Sequence, residues 1–130
     1  MNVLSRSAVV LLLAGVVAAG ASMASAAPID AGVVNGTIVA GPGAFISPGT
    51  YATPYVIVLE GQQATFYNAD VAPHDVVSVE KKRKRPLFRS KLIGLGQSAP
   101  VVGSEKLAPG TYAFFCSKHH WMTAQLVVLP

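Results

Sequence analysis

The hydrophobic positions of this chain fall in short segments separated by turn residues. Runs rich in Val, Ile, Thr, Tyr and Phe recur at 33–39, 55–59, 63–68, 75–80, 98–102, 111–116 and 124–129, and Gly, Pro, Asn or Asp stands between most of them. None of them carries the 3.6-residue period of an amphipathic helix, and the region after Pro86 is short and broken by glycine. Seven or eight short strands in roughly a hundred residues predict an all-β fold, a two-sheet antiparallel Greek-key sandwich.

Turn chemistry refines this. Pro109-Gly110 stands before Thr111-Tyr-Ala-Phe-Phe, so a tight turn launches the strand that ends at Cys116; Pro48-Gly49 does a similar job before Thr50 and Tyr51. Side chains alternate across a strand, which puts Tyr112, Phe114 and Cys116 on one face, expected to be the inner one. The return strand at Leu126–Leu129 makes Cys116–Met122 a loop between two antiparallel neighbours.

One long apolar run, Ala8 to Ala21, follows Arg6 and precedes Ala24-Ser25-Ala26, the order of a secretory signal peptide with a small-residue cleavage site. Residues 1–26 are therefore read as a cleaved signal and 27–130 as one exported domain, placed in a periplasm or another extracytoplasmic space. The competing reading is a retained anchor, because residues 8–27 carry no charge, although Ser, Gly and Ala dilute the hydrophobicity toward its end. The only cysteine is Cys116. In an oxidising compartment an unpaired thiol must be hidden, bridge to another chain or be occupied as a ligand.

Its neighbours favour the last option. Tyr112-Ala-Phe-Phe-Cys116-Ser-Lys-His119-His-Trp-Met122, with Pro73-His74-Asp75 upstream, supplies one thiolate, two imidazoles and a thioether. Two nitrogens and a thiolate with a weak, distant Met sulfur suit a copper ion that changes oxidation state, since soft sulfur favours Cu(I) and imidazole accommodates Cu(II). Structural zinc sites use more cysteines in close pairs. A nucleophilic Cys-His pair needs a positioned base and an open cleft, which a crowded three-residue spacing does not offer.

The pattern Tyr112-x-Phe114-x-Cys116, followed by His119, Met122 and a Val-rich last strand, resembles the cupredoxins, the small blue copper proteins. The short Cys116-x-x-His119-x-x-Met122 loop is similar to that of the amicyanins rather than the plastocyanins or pseudoazurins, and Asn68, six residues before the His of Pro73-His74, fits the same pattern. The resemblance implies one type 1 copper ion held strongly by His74, Cys116 and His119 and weakly by Met122, with His119 selected over His120. It also implies that Asn68 ties the loop of the first His to the loop of the Cys. Lys118 and His120 depart from it, standing where amicyanin-like loops carry prolines.

The implied function is that of a non-enzymatic monomer shuttling single electrons between redox partner proteins through the partly exposed His119, with Pro73, Trp121 and His120 nearby. Copper buffering or delivery is the alternative, and a secreted adhesion-like sandwich whose Cys116 pairs between chains is a weaker third. Charge adds one feature. The formal net charge is +4, and Lys81-Lys-Arg-Lys-Arg85 with Arg89 and Lys91 supplies seven of the ten Lys and Arg residues, leaving the rest of the exported domain net negative. A nucleic-acid role fits an exported chain poorly. The basic run is expected to form a solvated turn after the His74 strand, either without a partner or drawn to an acidic redox partner or an anionic membrane surface.

Overall fold

The computed structural model describes residues 36–46 and 50–130. The expected signal peptide, the start of the 33–39 segment and the Pro48-Gly49 turn lie outside the described residues.

Two sheets face each other. One joins β1 (Thr37–Ala40), β3 (Thr65–Asn68) and β7 (Ser98–Pro100) in the order β1-β3-β7. The other joins β2 (Tyr55–Leu59), β9 (Thr123–Leu129), β8 (Gly110–Phe115) and β4 (Val77–Ser78) in the order β2-β9-β8-β4. The inner faces follow from alternation: Val56 and Val58 of β2, Phe66 of β3, Phe114 of β8 and Leu126 and Val128 of β9 are all buried. Tyr51 joins the layers, edge-on to Phe66 at 6.2 Å and to Phe114 at 5.0 Å. As expected, Phe114 and Cys116 point inward with the half-buried Tyr112.

The pairing is mixed rather than purely antiparallel. β1 runs parallel to β3 and β2 parallel to β9, whereas β3–β7, β4–β8 and β8–β9 are antiparallel. The chain crosses to the second sheet for β2 before returning for β3, so β1 and β3 enter their sheet from the same end. Strands joined by such a crossover come out parallel, whereas a tight hairpin makes them antiparallel.

β4 is shorter than the 75–80 window because the chain there serves another ladder. From His74 it descends beside β8 and returns from β5 (Lys81–Lys82) through β6 (Arg85–Pro86) to Ile93. His74 and Ile93 exchange both backbone hydrogen bonds, Ser90 N donates to Val76 O, Ser78 N to Phe88 O and Leu87 N to Glu80 O, and Lys82 faces Arg85. The loop at its tip has two residues, Arg83 and Lys84, at φ 52° and 66°. Both are left-handed, the geometry of the primed two-residue hairpin turn. Without Gly or Asn there, the conformation costs roughly 1–2 kcal/mol per residue. Where the returning arm passes Gly103, at φ 98°, a Cβ would run into the carbonyl oxygen of Leu87, so glycine is required.

Candidate metal centre

The centre lies at the end of the sandwich where β8 finishes and β9 begins. Phe115 pairs with Thr123, and the seven residues between them curl back on themselves. Cys116 N donates to Met122 O at 3.1 Å and Met122 N to His119 O at 2.8 Å. Ser117 N and Ser117 Oγ both donate to the carboxylate of Asp75, at 2.7 and 2.6 Å, and His120 Nε2 donates to Ser117 O at 3.0 Å. The loop is thus fastened by hydrogen bonds from Cys116, Ser117, His120 and Met122 rather than by prolines at positions 118 and 120.

Three donors from two distant loops meet here. His74 Nδ1 and His119 Nδ1 are 3.0 Å apart, and each is 3.7 Å from Cys116 Sγ. A point equidistant from the corners of that triangle lies about 2.0 Å from each, close to a metal–imidazole bond and slightly inside a metal–thiolate bond. His74 and Cys116 are fully buried and His119 is partly exposed. Met122 is also fully buried, on the same loop. His120 faces solvent with its ring edge-on to Phe115 at 5.8 Å, outside the cluster. Trp121, 44% exposed, packs edge-on against His119 at 5.4 Å.

A buried carboxylate orients His74. Asp70 Oδ2 accepts from His74 Nε2 at 2.7 Å and from Phe45 N at 3.1 Å, while Oδ1 accepts from Gly43 N at 3.0 Å and Val71 N at 2.9 Å. Desolvation opposes its ionisation, but the hydrogen bonds from His74 and the backbone of Gly43, Phe45 and Val71 outweigh it and hold the carboxyl below its usual range. With its Nε2 proton committed to Asp70, His74 turns a lone pair at Nδ1 toward the cluster, the tautomer a metal requires.

Burial shapes the other two donors. Desolvation pushes the Cys116 thiol up, with the Asp75 charge adding to it and the backbone amides of Asp75, Lys118 and His119 opposing. His119 is pushed down, first by desolvation and then by the neighbouring His74, against the pull of Asp70 and Asp75. Without a metal the pair therefore rests as a neutral thiol and a neutral imidazole. A soft cation would displace one thiol proton and meet two unprotonated nitrogens, a donor set suited to copper.

Asn68 takes a different part from the one the resemblance implied. Its Nδ2 donates to Ala72 O at 2.8 Å and Ile93 O at 3.0 Å, and its Oδ1 accepts from Asp70 N at 2.9 Å. It binds the His74 loop to the returning arm of the long hairpin. The tie between the His74 and Cys116 loops is Asp75 on Ser117. Sequence reasoning passed over Asp70 and Asp75; the available signal was an acid four residues before one candidate ligand and another directly after it.

The family model for copper-binding proteins of the plastocyanin/azurin family matches residues 49–129. The amicyanin of Paracoccus versutus is 27% identical over 78 residues, covering 60% of this chain and 57% of the relative. Amicyanin-alpha of Methylorubrum extorquens is 32% identical over 83 residues, covering 60% of this chain and 63% of the relative. The chain thus aligns with less than two thirds of the length of either. A purple cupredoxin from Nitrosopumilus maritimus shares the fold at a TM-score of 0.59 and 24% identity, over 72% of this chain and 98% of that one. With the family model spanning most of the chain and the sandwich formed as that family forms it, this protein belongs to the plastocyanin/azurin family of copper-binding proteins, the cupredoxins, and copper is its cofactor.

Proposed function

We propose that the protein is an exported carrier of single electrons rather than an enzyme, with His74 Nδ1, Cys116 Sγ and His119 Nδ1 as strong copper ligands and Met122 as the weak axial one. The observation that carries the reading is the triangle of three donors from two chain-distant loops around a common centre about 2.0 Å from each. Copper supplies the one-electron change between Cu(I) and Cu(II).

The residues do the rest. Asp70 holds His74 in its tautomer, Asp75 locks the Cys116 loop to the His74 loop, and backbone hydrogen bonds fix His119 and Met122 relative to Cys116. Side chains held this firmly move little between oxidation states, which keeps transfer fast. His119 alone among the three reaches solvent, packed against the exposed Trp121, and forms the exit for the electron toward a partner that docks briefly, with exposed Pro73 next to His74 in the chain. Export rests on the Ala24-Ser25-Ala26 site after the apolar run, and a buried lone thiol suits an oxidising compartment once it is a ligand. We expect the carrier to act as a monomer.

Adding Cu(II) to the purified protein tests this. Intense visible absorption from thiolate-to-copper charge transfer, with a reversible potential, is expected, and Cys116→Ala and His74→Ala should abolish it. Colourless, readily exchanged Cu(I) would instead assign the protein to copper buffering or delivery.

A further inference from the structure

We infer that the basic hairpin tip is a docking element for an anionic lipid bilayer and that it holds the protein with the copper end turned away from the membrane. The inference goes beyond electron carrying and does not depend on the metal.

The first support is position. The ladder that starts at His74 reaches Arg83 nine residues later, and at about 3.3 Å per residue the tip lies up to roughly 30 Å from the copper end. β4 runs antiparallel to β8, which itself climbs toward Cys116, so the hairpin points to the opposite pole. A standard interface covers about 800 Å² per partner, a patch some 16 Å in radius. A redox partner centred on His119 would not reach the tip, so these charges are misplaced for gripping it.

The second support is charge. Lys81, Lys82, Arg83, Lys84 and Arg85 are all exposed. Among the described residues the one salt bridge joins His74 to Asp70, so none of the five cations is neutralised by a carboxylate. Among the described residues, Glu60, Glu80 and Glu105 are the acids at this end; Glu105 is engaged by Gln63 and by the Gly103 amide. The backbone also accepts left-handed strain at Arg83 and Lys84 to present two long cationic side chains at the extremity.

The third support is what shares the pole. Leu59 and Leu129, partners in the β2–β9 register, are 57% and 40% exposed there. The described chain also enters at this pole, because Gly36 precedes β1, which runs parallel to β3 toward Asn68 and the copper end. A broad anionic surface suits exposed cations set around an open cleft lined by Lys82, Arg83 and Arg85, and each Lys or Arg near such a surface strengthens binding roughly fivefold.

The test is flotation of the exported, copper-loaded protein with vesicles of phosphatidylcholine alone or with 30% phosphatidylglycerol. Binding is expected only to the anionic vesicles, to weaken steeply with salt, and to be equal for the copper-free protein. Arg83→Gly with Lys84→Gly should weaken it by roughly 25-fold while leaving the fold at least as stable, since glycine prefers that turn; Lys118→Gln, at the other pole, should not. Oxidation of vesicle-bound protein by soluble ferricyanide should keep its rate. Equal binding to both vesicle types, no loss in the double glycine variant, slowed oxidation on vesicles, or binding to polyglutamate with none to lipid would each overturn the inference.

Discussion

Replacing Asp70 by Asn removes one charge and almost no volume, yet the structure makes it a severe change. The carboxylate accepts four hydrogen bonds, from Gly43 N, Val71 N, Phe45 N and His74 Nε2. An amide oxygen can keep the two on Oδ1, but the NH₂ group would then face Phe45 N–H and His74 Nε2–H, donor against donor. Each buried donor left without an acceptor costs about 1–3 kcal/mol. His74 can escape by moving its proton to Nδ1, and in doing so it blocks the atom that faces Cys116 and His119. The metal-free protein should therefore lose only the Phe45 share, about 1–3 kcal/mol, while copper must also reverse the tautomer. Lost support of this kind lowers metal affinity by about 10–100-fold. Removing a buried negative charge roughly 6–7 Å from the metal should also raise the reduction potential by roughly 100 mV, from a Coulomb energy near 2.5 kcal/mol at an effective dielectric of about 20. Competition for Cu(I) against a chelator gives the affinity, voltammetry the potential and nitrogen NMR of the metal-free protein the tautomer. An affinity within threefold of the wild type, with the His74 proton still on Nε2, would refute the argument.

Copper binding should strengthen about tenfold per pH unit between pH 7 and 8.5, because burial keeps the Cys116 thiol protonated and the metal must displace that proton; a flat profile in chelator competition would contradict this. His119, held below its ordinary 6.5, should add nothing to that slope. Since its folded pKa is lowered, its contribution to metal-free stability is present above pH 6.5 and is lost as the pH falls, which denaturant titrations at pH 5 and 7.5 would show. Asn68→Ala deletes three hydrogen bonds, two of them fully buried, and should cost about 2–4 kcal/mol in urea unfolding; a loss below about 1 kcal/mol would mean the His74 loop has other support. Gly103→Ala should destabilise by more than about 2 kcal/mol, since it combines a left-handed φ with a collision against the Leu87 carbonyl, and an unchanged midpoint would refute that placement.

What the sequence disclosed depended on how local each signal was. Strands announced themselves by alternation, and Cys116, His119 and Met122 stand within one loop where few other roles demand those residue types so close together. Pairing direction was not legible: β1 beside β3 and β2 beside β9 follow from crossovers between sheets, and nothing in either strand marks its neighbour. The turn at Arg83-Lys84 lacks the Gly or Asn that signals left-handed backbone, so its hairpin read as an open, solvated run. Asp70 and Asp75 looked like ordinary loop acids because a carboxylate's role is set by burial, and Asn68 was given the right neighbourhood but the wrong partner.

The two carboxylates beside His74 differ in what an amide would do, and this separates charge from structure. Asp75 accepts from Ser117 N through Oδ1 and from Ser117 Oγ through Oδ2. In Asp75→Asn the amide oxygen still accepts from the backbone, and the new NH₂ meets a hydroxyl, which can turn and accept, so both links survive. Only the charge is lost. With copper held by the Cys116 thiolate as proposed, that thiolate, Asp70 and Asp75 would make three negative charges around the ion, leaving the oxidised site at −1 and the reduced site at −2. Burial penalises the more highly charged form, so the pair should hold the potential low. For one charge about 7–10 Å away at an effective dielectric near 20, Asp75→Asn should raise it by roughly 70–100 mV, with an unfolding free energy within about 1 kcal/mol of the wild type. A potential that stays put in a variant of native stability would show that solvent or backbone dipoles, rather than these carboxylates, set the redox balance of the site.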